Sequence, residues 1–175
     1  ANSIERWGCA LTSVAMILQK YNIKMPDGSI ANPDILNTWL KGQDDGYVGN
    51  GLLNWLAVSR LVRQSLTAGN SNTDLEFIKS SGTPSEEITA GLYPIVNTGS
   101  HFVVTHGQDS TNYQINDPFE ASRSAIGKSQ NLASINTFYP SNTDLSNIMI
   151  VGSNNLIATM SGSSGAIQVE SFDES

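Results

Sequence analysis

The apolar pattern of this chain changes period at Gly91, and that change decides the fold class. Before it, hydrophobic residues recur at helical steps of three and four. Leu11, Val14, Ala15, Leu18 and Tyr21 line one face of a helix predicted over 9–21. Ile35, Leu36, Trp39 and Leu40 do the same over 33–41, where Asn32 is the expected N-cap, Pro33 the first helical residue and Gly42 the stop. A third helix is predicted from about Leu52 to Val62. A fourth opens at Thr83-Pro84-Ser85-Glu86-Glu87, with a capping hydroxyl and two acids at the positive end of the helix dipole. After Gly91 come short runs suited to strands: 92–97, 101–106 and 113–116, with further runs at 148–151 and near 156–159. Helices first and strands afterwards indicate an α+β protein with an antiparallel sheet rather than alternating βαβ units. The segment 74–79 reads equally as helix or strand. Residues 42–51 form a Gly-rich loop, and 153–175 read as an extra β-hairpin or the start of a following β module, beside a main domain over 1–152.

Charge removes some function classes. A net charge of −7 with nine Lys and Arg argues against nucleic acid and against an anionic membrane surface as partners. No apolar run approaches the roughly 20 residues that cross a bilayer. The chain opens on polar Ala1-Asn2-Ser3 and is poor in Lys but rich in Asn, Ser, Thr and Gly. We read this as a secreted or cell-surface bacterial or archaeal protein, with a cytosolic acidic protein as the alternative, and a monomer is expected. The acidic pair Asp44-Asp45 is expected to be solvated rather than to bind a cation.

One cysteine among 175 residues permits no intrachain disulfide, and with two histidines it cannot build a Cys-based zinc site. No metal or cofactor is expected. What remains is the thiol itself. Cys9 stands at the predicted start of the first helix, where free N–H groups and the dipole favour a thiolate and offer donors to an oxyanion. A thiolate nucleophile needs a proton carrier, and the carrier needs an orienting group. His101 opens one predicted strand and Asp117 closes the next. If the chain reverses near Asp109, the two sit opposite each other. His106, five residues after His101, falls on the other face. Taken singly, each residue has a plain reading too: a buried small side chain, a structural histidine, a turn aspartate.

Three segments in order carry a resemblance. GCALTSVAMIL around Cys9, GSHFVVTHG around His101 and YQINDPF around Asp117 resemble the nucleophile, histidine and aspartate motifs of the bacteriocin-processing (double-glycine) cysteine peptidases and their single-domain relatives, over roughly residues 3–151. The resemblance implies a papain-like fold, with a central nucleophile helix packed on an antiparallel sheet. It also implies hydrolysis of a peptide or protein substrate through a thioester, with Cys9 attacking, His101 carrying the proton and Asp117 orienting it. His106 and Asn116 have no catalytic role by this match. The family supplies an oxyanion Gln upstream of the Cys. Residues 1–8 contain none, and the expectation is that the chain begins after it. The alternatives are a cell-wall peptide amidase or transferase with the same triad, and an inactive papain-like binding module.

Overall fold

The structure, a computed structural model, describes residues 4–49, 51–143, 150–151, 157–160 and 167–170. The protein is α+β. Four helices, α1 (Ile4–Lys20), α2 (Pro33–Lys41), α3 (Trp55–Thr67) and α4 (Pro84–Thr89), accompany an antiparallel sheet. A small hairpin, β1 (Tyr47–Val48) with β2 (Leu52–Leu53), precedes α3. The large sheet is built from β3 (Leu75–Ser80), β4 (Ile95–Asn97), β5 (Phe102–Gln108), β6 (Asn112–Asn116), β7 (Ala125–Gly127), β8 (Ser134–Pro140), β9 (Ile150–Val151), β10 (Ile157–Met160) and β11 (Ile167–Glu170). Its spatial order is β11-β10-β9-β3-β8-β4-β5-β6-β7.

Two apolar clusters lie on opposite faces of this sheet. On one face α1, α2 and α3 press Val14, Leu18, Leu36, Leu40, Leu61 and their neighbours against Leu75, Ile95, Val104 and Phe138. On the other, Val96, Val103, Tyr113, Ile115, Ile126 and Ile135 pack with Ile88 of α4. Successive strand residues point to opposite faces, so adjacent residues such as Ile95 and Val96, or Val103 and Val104, serve different cores.

Local chemistry explains most boundaries. The Asn32 side chain accepts from the Ile35 N–H at 2.9 Å and caps α2 as expected. At α4 the N–H of Thr83 donates to Glu86 Oε2 at 3.3 Å. The expected strand over 92–97 begins only at Ile95, because Pro94 has no N–H to give the ladder. The helix expected from Leu52 starts at Trp55, capped by Asn54 Oδ1, since Leu52 and Leu53 pair instead with Val48 and Tyr47. Gly46 lies hard against the Leu40 carbonyl, where a side chain would collide with backbone, and this brings the 42–51 loop back onto α2. In that loop Asp45 forms a bidentate pair with Arg60, at 2.8 and 2.5 Å. The ambiguous 74–79 segment is strand β3, whose six residues all pair with β8. Residues 148, 149 and 156 of the two late strands lie outside the described residues. Among those described, no helix is long and apolar enough to cross a membrane.

The first difference that touches chemistry is at α1. The helix begins at Ile4, not Cys9. Ile4-Glu5-Arg6-Trp7 tolerate helix well, and Gly8 costs only about 1 kcal/mol relative to Ala inside one. Cys9 is therefore the sixth helical residue, and its own N–H lies within the helical ladder rather than among the free ones.

Glu87 is a buried acid. It is fully shielded from water; its Oε2 meets the Thr137 hydroxyl, and its Oε1 has no partner among the described residues. Burial pushes its pKa up, against the lowering effect of the Thr137 and Ser80 hydroxyls. A raised folded-state pKa contributes stability below the unfolded value of about 4.3, and that contribution is lost as pH rises through the folded value. Glu87→Gln should therefore be more stable than the parent at neutral and alkaline pH and should lose the decline between acid and neutral pH. Urea midpoints taken across that range read this directly.

Candidate active site

The β5–β6 hairpin places the histidine and the aspartate. His101 closes the four-residue turn between β4 and β5. The Thr98 N–H donates to the His101 carbonyl at 2.9 Å, and the Thr98 hydroxyl donates to the same oxygen at 3.1 Å. Gly99 turns the chain with φ 106°, a conformation that L side chains rarely adopt, and its N–H donates to Asn97 Oδ1 at 2.9 Å. Asp117 follows the last residue of β6 and begins an Asx turn. Its Oδ1 accepts from the N–H groups of Phe119 and Glu120, at 2.9 and 3.0 Å.

His101 and Asp117 meet. His101 Nε2 lies 2.7 Å from Asp117 Oδ1, and Arg123 Nη1 lies 3.5 Å from Oδ2. The aspartate side chain is 1% exposed and the histidine 22%. Burial pushes the Asp117 carboxyl up, but the Phe119 N–H, His101 and the Glu120 N–H together outweigh it, so its pKa is lowered. An ionised carboxylate only accepts, so Nε2 carries the proton toward it and Nδ1 is the ring nitrogen left for other work. Phe119, 85% exposed, stands edge-on to the imidazole with centroids 6.4 Å apart.

The register behind this contact differs from expectation. Thr105 pairs with Ile115 and Val104 with Asn116, so Asp117 is level with Val103 rather than with His101. The offset is two residues, which preserves the face. A bulge at His106 produces that register: Gly107 pairs with Gln114 and Thr105 with Ile115, leaving His106 as the extra residue. Counting back from Gly107–Gln114 without the bulge, Asp117 would be level with Val104 and on the opposite face from residue 101. Alternation assigns 101 and 117 to the Val103 side of the sheet, whereas α1 packs on the Val104 side. Both residues stand one position beyond their strands, where the ladder no longer dictates direction.

Cys9 is half-buried in the second turn of α1, and α1 packs against β5. Among the described residues no hydrogen bond joins Cys9 to His101 or Asp117. The free N–H groups expected beside the thiol belong to residues several positions upstream. The sequence did not single out Arg123, Phe119 or the two backbone donors to Asp117; only the Asp-Pro dipeptide signalled the turn that recruits them. Compared with protein-family models, curated proteins and solved structures, the chain has no match.

Two measurements check the pair. A lowered carboxylate pKa contributes stability above the unfolded value of about 3.9, lost as pH falls through the folded value. Asp117→Asn should be less stable at neutral pH and should show less of the acid-side loss in urea midpoints. Asp117→Ala should cost about 1–3 kcal/mol more than a surface Asp→Ala change, because it removes the charged acceptor shared by His101 and the Phe119 and Glu120 N–H groups.

Proposed function

We propose that this chain is a papain-like cysteine peptidase domain, with Cys9 as nucleophile, His101 as proton carrier and Asp117 as orienter. The observation that carries the reading is the His101–Asp117 pair at 2.7 Å, built on a buried carboxylate held by two backbone N–H groups. An arrangement this costly to bury fixes one ring nitrogen and leaves the other available to a thiol.

Spacing along α1 supports Cys9 as that thiol. Lys20 and Tyr21 meet Tyr93, which the β4–β5 register sets level with His106. At the other end Trp55, which follows β2, meets Phe102 with ring centroids 5.9 Å apart, and β2 contacts α1. The helix thus runs parallel to β5. From Ile17 back to Cys9 is eight residues, about 12 Å of helix. From His106 back to Phe102 is four residues, about 13 Å of strand. Cys9 comes out level with the His101 end of β5.

In the reaction, the thiolate attacks the scissile carbonyl carbon and the imidazolium gives its proton to the departing amine, leaving a thioester. Water then attacks the thioester; His101 removes its proton and returns one to the sulfur as the acid leaves. Asp117 keeps the imidazole in one tautomer throughout. The substrate is a peptide or protein.

The test is iodoacetamide alkylation of Cys9 against pH, in the parent and in His101→Ala. An inflection well below the free-thiol value of about 8.5, moved upward by the substitution, supports the reading. Fluorogenic peptide hydrolysis should then fall about 10²–10⁴-fold in His101→Ala and vanish in Cys9→Ala. Ordinary thiol reactivity indifferent to His101 overturns it in favour of a binding module.

A further inference from the structure

The second histidine stands at a different place, which the proposed chemistry does not use. A cavity of about 300 Å³ opens between the C-terminal half of α1 and the sheet, lined by Met16, Ile17, Lys20, Tyr93, Val104, His106 and Asn116. Its polar lining consists of an ammonium, an imidazole, an amide and a phenol, with no carboxylate. That is unusual for a chain whose 16 acids outnumber nine Lys and Arg. Neither Lys20 nor His106 forms an ion pair among the described residues. Lys20 Nζ sits 4.9 Å from the Tyr93 ring centroid, which steadies the ammonium while leaving its N–H donors unspent.

Two backbone features prepare the site. The bulge makes His106 the extra residue of β5, the kind of irregularity that re-aims a side chain. The end of α1, whose carbonyls would repel an anion, is largely quenched: Ile17, Leu18 and Gln19 carbonyls accept from the N–H groups of Tyr21, Ile23 and Asn22. Met16, Ile17 and Val104 supply an apolar wall.

We infer that this cavity is a binding site for a small organic oxyanion, a carboxylate or phosphate on an apolar or aromatic body, held by Lys20, His106 and Asn116. The apolar body lies against Met16, Tyr93 and Val104, and the volume suits a small ligand rather than a polypeptide groove. The site is independent of the Cys9 reading, so neither result bears on the other.

The experiment is an NMR titration of the full chain with benzoate, phenyl phosphate and benzyl alcohol. Both anions, or one of them, should shift the Lys20 and His106 side-chain signals at millimolar concentration, and the alcohol should not; the stronger anion identifies the head group. Lys20→Met keeps the stem and His106→Gln keeps a donor, and each should weaken anion binding about two- to fivefold, the size of one charge-assisted contact between exposed groups. Equal binding of benzyl alcohol, unchanged affinity in both variants, or no shift with either anion overturns the inference.

Discussion

The fold depends on α1 being pressed against the middle of an antiparallel sheet. Val14, Ala15, Ile17 and Leu18 are almost completely withdrawn from water, in a cluster to which β4, β5 and β8 as well as α2 and α3 contribute. Each large aliphatic side chain so buried contributes about 1.5–3 kcal/mol, enough that a short stretch of this one helix outweighs any single polar contact in the molecule. The same contact aligns α1 with β5. The two places where the chain gathers reactive side chains, the His101 end and the His106 end, are the two ends of that one interface.

Two buried carboxylates show how the protein handles the cost of charge. Asp117 and Glu87 are both shielded from solvent, yet their acidities move in opposite directions. Asp117 is met by backbone N–H groups and an imidazole that favour the anion strongly enough to outweigh burial, while the hydroxyls that meet Glu87 favour its anion too weakly to do so, and one of its oxygens has no partner among the described residues. Burial is common to both; the supply of committed donors distinguishes them. The aspartate's surroundings favour its charge, and the glutamate's burial works against its own.

The sequence showed helices wherever capping and periodicity agree. α2 was legible to the residue because Asn32, Pro33 and Gly42 all act locally. Elements whose identity rests on distant partners were not legible. β3 was ambiguous until β8 was seen beside it, and β8 itself, buried at four successive positions, has no alternation to announce it. The start of α1 was misplaced because Gly8 looked like punctuation and is in fact helical. At the candidate site, the His101–Asp117 contact could be anticipated from the order of the two residues on successive strands. The register could not, since a bulge leaves no local mark, and neither could the backbone donors to Asp117, which arise from the turn's geometry and carry no side-chain signature.

The bulge at His106 changes what distance along the chain means in this hairpin. His101 and Asp117 are sixteen positions apart, yet that number is a sum of unlike parts. Residues in the loop at the hairpin tip add to it without moving either side chain relative to the other, whereas the one residue that β5 carries in excess of β6 decides whether strand alternation assigns the two positions to the same face or to opposite ones. The interval is thus elastic at the tip and rigid in the strands. Two chains with different separations can hold the same pair, and two with identical separations can differ in whether the ladder brings the two positions to one face. The invariant is the odd residue in the ladder, so a search for the same device in other sequences does better to follow the mismatch between the strands than to count from one functional residue to the other.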